Sequence, residues 1–214
     1  MSPANTIRTS ESDGICTNNL FTKKTHTNMS MITIGLKAVL VGTAITDKTA
    51  AQIRATVNAA TFKKIGKVYQ DTAQISQDAA EVTEHFEEGK SAPEVRRKKR
   101  KIPAAKFAIM NPSGLHLTNY EGGEAVDTAG WGTDGSEAVA NKCIILVAEQ
   151  GLTFVIPNAD IDAVLNGNLS ASGILLLEVT VTPLTNTGKS IYAFPSSMIT
   201  VTGTEDADPT VPNS

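Results

Sequence analysis

Two stretches with apolar residues at alternate positions, FKKIGKVYQDTAQI from Phe62 and AKFAIM ending at Met110, flank the most charged segment of the chain. A repeat of two puts successive side chains on opposite faces, so each flank reads as a half-buried strand. In the second flank Phe107 and Ile109 share one side, and Lys106 and Ala108 the other. The segment between them carries Glu81, Glu84, Glu87 and Glu88, and then an unbroken basic run, Arg96, Arg97, Lys98, Lys99, Arg100 and Lys101. Strand, charged excursion and returning strand make a hairpin arm whose two limbs bear opposite charge. Such an arm suits contact with further copies of the same chain better than it suits a catalytic pocket. Pro103 marks the entry to the returning strand, since proline is tolerated at a strand's first residue. A short amphipathic helix over 78–88, with Val82 and Phe86 at i and i+4, is the other local solution.

The rest of the chain is punctuated in the same way. ITIGLKAVLVG, from Ile32, reads as a strand ended near Gly42, while DKTAAQIRATVNAATF has helix-favouring alanines with Ile53, Val57 and Ala60 at helical spacing. Residues 111–140 are glycine-rich and polar and read as a long surface connection; within them Tyr120 and Trp131 either pin the loop to the body or form an assembly contact. NKCIILVAE and LTFVIP form a hairpin about Gln150-Gly151, NADIDAVLNGNLSASG reads as a connection, and ILLLEVTVTPL and SIYAFPSSMITVTG as two further strands. Residues 1–30 read as a flexible N-terminal arm or extension, 31–203 as the domain, and 204–214 as an acidic unstructured tail. The expectation is an all-β chain of about seven strands with one or two short helices, packed as a β-sandwich or barrel.

Charge and cysteine content exclude several classes. The formal net charge is -3 with aromatics at 5%, too neutral for the total to indicate a nucleic-acid partner, although the Arg96–Lys101 run holds six of 19 basic residues. Cys16 and Cys143 lie in unrelated contexts, which argues against a disulfide framework and fits a reducing compartment. No apolar run reaches membrane-spanning length, and the N-terminus lacks the apolar core of a signal peptide.

Chemistry was sought by motif. His26, His85 and His116 are far apart with no ligand spacing, and the last two read as solvated or interface residues. NTGKS, ending at Ser190, would need a glycine where Pro183 stands and a helix where a strand follows, so it is a turn and not a phosphate loop. No Gly-x-Ser-x-Gly elbow occurs, and the clustered glutamates lack apolar surroundings that would raise a carboxyl pKa. The expectation is a non-enzymatic protein with no cofactor and no metal. For the basic run three readings stand: pairing with acids of another subunit, a solvated loop, or phosphate binding. Its place between two strands, beside the glutamates and without stacking aromatics, favours the first.

These residues resemble the major tail tube proteins of long-tailed bacteriophages. The likeness rests on Ile65-Gly66 opening the hairpin, Thr83-Glu84 and Glu87-Glu88-Gly89 in its polar segment, and the return from Lys101 to Met110. Ile156-Pro157-Asn158 and Thr182-Pro183-Leu184 close the later strands in the same order. The resemblance spans roughly residues 32–202; the N-terminal arm, the alanine-rich stretch near residue 55 and the glycine-rich insert around Trp131 have no counterpart. It implies a sandwich or barrel-like core, hexameric rings stacked into a tube, and an arm bridging adjacent rings. It further implies a virion location after synthesis in a bacterial host's cytoplasm. The implied partners are further copies, tail tip and terminator proteins, and transiently the tape measure protein and DNA in the lumen. Glu81 and Glu84 would face either the lumen or the ring contact. Inner tubes or terminators of contractile tails and secretion needles are the related alternative.

Overall fold

The computed structural model describes residues 32–128, 130–135, 139–170, 173–200 and 203–205. The chain divides into units Met1–Ser30 and Met31–Ser214, and the architecture below is that of the second. The readings made for residues 1–30, and for 206–214 of the acidic tail, lie outside the described residues.

The strands are β1 (Ile34–Thr43), β2 (Phe62–Lys64), β3 (Gln74–Ser76), β4 (Glu81–Phe86), β5 (Pro93–Lys99), β6 (Ala104–Ile109), β7 (Glu124–Val126), β8 (Gly130–Gly132), β9 (Lys142–Gln150), β10 (Leu152–Gly167), β11 (Leu175–Pro183), β12 (Tyr192–Pro195) and β13 (Gly203–Glu205). Two short helices, α1 (Ala50–Ala59) and α2 (Gly114–Tyr120), accompany them. Nine strands form one sheet in the order β13-β2-β1-β9-β10-β11-β6-β3, with β12 also paired to β10. The other two sheets are separate two-stranded ribbons, β4-β5 and β7-β8.

This corrects the expected sandwich or barrel. The end strands β13 and β3 do not pair with each other, so the main sheet is open. The cause lies in β10. Residues 158–173 read as a connection, yet Ala159, Ile161 and Ala163 are buried while Asp160, Asp162 and Val164 are exposed, which is strand alternation. The strand therefore continues through Ile156-Pro157-Asn158 with a register shift. Its first part pairs with β9 and β12, and the part from Ala159 to Gly167 pairs with β11. Two groups of strands that could have formed facing sheets are thereby joined in one ladder. The irregularity is satisfied locally: the Pro157 carbonyl accepts from Ile45 N at 2.7 Å and that of Asn158 from Leu184 N at 2.9 Å.

Alternation divides the apolar residues of the sheet between two clusters. One gathers Val39 and Val41 of β1, Phe107 and Ile109 of β6, Ile144 of β9, and Leu177 and Val179 of β11. The other holds Leu40, Cys143, Ile145 and Val155, covered by Ile53 and Val57 of α1 and by Tyr192. The alanine-rich stretch thus forms a helix that lays one face on the sheet; its N-terminus is closed by a capping box of Thr49 and Gln52. Burial pushes the Cys143 thiol up to about 12, so this residue is a core hydrophobe and not a nucleophile.

The expected surface loop over 111–140 contains α2 and the β7-β8 ribbon. Ser113 caps α2 by accepting from His116 N, while the His116 ring returns to Ser113, its Nδ1 lying 3.1 Å from Ser113 N. His116, expected at the surface, is 4% exposed. The final expected strand is cut short at Pro195, where a single 3-10 turn, Ser196–Met198, takes over.

If β10 runs through Asn158 as one strand, Ile161→Ala should cost about 2–5 kcal/mol in chemical denaturation. Val164→Ala, three residues on and facing solvent, should cost less than about 0.5 kcal/mol. Equal costs would contradict the assigned alternation.

Candidate functional site

Strands β4 and β5 pair only with each other, and every residue from 81 to 100 is exposed. The stretch open to a helical reading is therefore a strand, and the charged excursion is a ribbon standing off the main sheet. Its base is fastened by a Lys101–Asp78 ion pair at 3.2 Å and by a hydrogen bond from the Gln77 side chain to the Lys101 carbonyl. From there to Gly89 the ribbon reaches roughly 35 Å at about 3.3 Å per residue. Gly89 turns the chain at φ +82, a conformation that costs glycine little, and Lys90 N donates to the Glu87 carbonyl across that turn.

The register sets charge against charge. Glu81 lies opposite Lys99, Glu84 opposite Arg96, Val82 opposite Lys98 and Thr83 opposite Arg97. Arg96 Nε meets Glu84 Oε1 at 2.8 Å, and Lys90 pairs with Glu87 within the tip. Glu88 and Arg100 are exposed near the two ends of the arm. Directly opposed residues share a face, so Val82, Glu84, Arg96 and Lys98 lie on one side, with Glu81, Thr83, Arg97 and Lys99 on the other. Phe86, opposite Pro93 beyond a register shift, is 55% exposed at the end of β4.

Opposed charges contribute about 0.2–1 kcal/mol per pair, and a two-stranded ribbon without a packed face is at best marginally stable in water. Among the described residues, no strand of the main sheet pairs with this ribbon. It is exposed along its whole length, with the aromatic Phe86 near its tip.

The two aromatics singled out in the glycine-rich stretch are placed differently. Tyr120 is 2% exposed and belongs to the main core, with Lys142 Nζ 6.0 Å from its ring centre. Trp131 is half-buried in β8, and its indole N–H donates to the Gly122 carbonyl at 2.7 Å, which closes the β7-β8 ribbon against the end of α2. Tyr120 therefore holds this connection to the body, while Trp131 braces it internally.

A second feature was not visible in the sequence. Between the first half of β1 and the link 64–75 lies a groove of about 760 Å³. Leu36, Val68, Ile75, Leu146 and Phe154 line it, and Lys37, Lys64, Lys67 and Asp71 are its charged residues. The link is stitched to both sides: Ile65 N donates to the Val39 carbonyl at 3.0 Å, and Tyr69 N to that of Ala108 at 2.7 Å. Gly66 allows a close approach in that link, since a Cβ there would lie 3.1 Å from the His116 ring and from Asn111 Oδ1. The FKKIGKVYQDTAQI stretch, expected as one strand, instead forms β2, this link and β3.

Among the described residues no group of three or more His, Cys, Asp or Glu is arranged to hold a metal ion. No helix there is long and apolar enough to cross a membrane.

A double-mutant cycle on Glu84 and Arg96 should return a coupling of about 0.2–1 kcal/mol, measured by denaturation of the full chain. A coupling of zero would mean that the observed pair does not set the arm's register.

The sequence matches no family model and no curated protein.

Proposed function

We propose that this chain is a self-assembling structural subunit, the tube protein of a long-tailed phage, whose hexameric rings stack into a conduit for DNA. The observation that carries this reading is the β4-β5 arm, exposed along its whole length and charged oppositely on its two limbs. The order of Ile65-Gly66, Thr83-Glu84, Glu87-Glu88-Gly89, Ile156-Pro157-Asn158 and Thr182-Pro183-Leu184 supports the choice of family.

The open sheet supports assembly on independent grounds. Among the described residues the outer edges of β3 and β13 have no strand partner; such an edge is a template for another chain, and symmetric association covers it without any added component. In a stacked tube the arm latches a neighbouring ring, its charges setting orientation and register more than raw affinity. Because acids of the same arm oppose Arg96 and Lys99, the basic limb does not present unbroken positive charge to DNA. DNA and tape measure protein then pass through the lumen without tight binding. The protein is structural, not catalytic, and its place is the virion.

Arg97→Glu, Lys98→Glu and Lys99→Glu together should leave the circular dichroism and thermal transition of the protein unchanged. The same variant should abolish tubes in negative-stain microscopy, leaving rings or smaller species. Tubes of normal length and number would show that the arm takes no part in stacking. Failure of the unmodified protein to form any ring or tube at high concentration would overturn the reading as a whole.

A further inference from the structure

We propose that Phe86 at the arm tip of one copy seats in the β1 groove of a second copy, with the acids beside it facing the groove's lysines. This rests on the reading of the chain as a self-assembling subunit and names the surface that receives the arm.

Knob and groove are complementary in both chemistry and charge. The knob is an aromatic ring 55% exposed, followed directly by Glu87 and Glu88 and preceded on the same strand by Glu84. The groove has an apolar lining and space for several side chains, at about 760 Å³. Lys37, Lys64 and Lys67 outnumber Asp71 among its lining residues, and Glu149 beside Gly35 is a further acid close by. An acidic tip carrying an aromatic therefore meets a basic rim around an apolar floor. Burying Phe86 supplies the affinity, since aromatic anchors in fitted pockets dominate interfaces of this type. The charges orient the approach.

The second copy is the occupant the geometry favours. Phe86 is not seated in the groove of its own chain, because the whole ribbon from 81 to 100 is exposed. Knob and groove are formed by different residues of the chain, so a knob passed on to a further copy, and not exchanged with the same one, makes a heterologous contact. Such a contact propagates from copy to copy instead of closing on a pair, as stacking requires. The arm's reach, roughly 35 Å at about 3.3 Å per residue, lets the tip arrive at a body other than its own.

The test keeps Phe86 and all the charges intact. Ser91→Cys at the tip and Gln70→Cys at the groove are placed in separate full-length chains, both positions being exposed and uncharged. The two proteins are mixed under assembly conditions and treated with a short bis-maleimide. A dimer cross-linked between the two introduced thiols, tip to groove, is expected in the mixture and not in either protein alone, with the linked peptides identified by mass spectrometry. Adding Phe86→Ala to the Ser91→Cys chain should lower its yield at least about tenfold. Raising the salt concentration should lower it further.

Rings and tubes without the tip-to-groove cross-link, or with the tip thiol linked elsewhere, would overturn this inference and leave the tube reading standing. A cross-link that persists undiminished in the Phe86→Ala chain would also overturn it, since the aromatic would then not be the anchor. Absence of any assembly would overturn the tube reading, and this inference with it. A groove found filled by a co-purifying small apolar molecule, or by another protein, while tubes form would assign it to that occupant instead.

Discussion

The backbone ladder along β10 is the interaction on which the rest of the sheet depends. This one strand, Leu152–Gly167, is hydrogen-bonded to β9 and β12 over its first part and to β11 over its second. β1 and β2 attach through β9, while β6 and β3 attach through β11. Interrupting the strand at Pro157 would separate those groups. The carbonyls of Pro157 and Asn158 avoid burial without partners by accepting from Ile45 and Leu184. A proline that reads as a terminator in the sequence is here a register shift within a continuous strand.

That continuity leaves the sheet open. A sheet closed on itself has no edges, whereas this one ends at β13 and β3 and carries a ribbon without a packed face. Both features are costly for a solitary molecule, and the proposed association would relieve them. The arm's cross-strand charge pairs hold its register, but such exposed pairs contribute too little to make the ribbon rigid. On the proposed reading, its order is tied to what it docks on. The apolar groove beside β1, with Lys37, Lys64 and Lys67 among its lining residues, is the surface proposed to receive the acidic tip.

Some of this was legible in the sequence, and the reasons are physical. Strands β6 and β11 were readable because Phe107 and Ile109, and Leu177, Val179 and Val181, are buried at a period of two, and β1 and β9 because Val39–Val41 and Cys143–Leu146 are short continuous apolar runs. The second half of β10 was hidden because its inward residues include Ala159 and Ala163, whose small side chains carry little signal. Ile161, Val164 and Leu165 meanwhile imitate a helical spacing. Helix α2 was missed because its capping box uses His116 in place of the usual Glu or Gln. The arm itself was legible, since six adjacent basic residues and four nearby glutamates between two strands leave few other solutions. The groove was not, as its lining comes from β1, the link 64–75, β9 and β10, brought together only by the pairing order.

The central claim is that the arm completes its fold on another copy, and hydrogen–deuterium exchange tests it most directly. In dilute protein the amides of β4 and β5 should exchange far faster than those of β9 and β10, which are strongly protected. In the assembled protein the amides of the arm should become protected by orders of magnitude. Arm amides that exchange equally fast in both states would contradict the account, and so would an arm already fully protected in the dilute monomer.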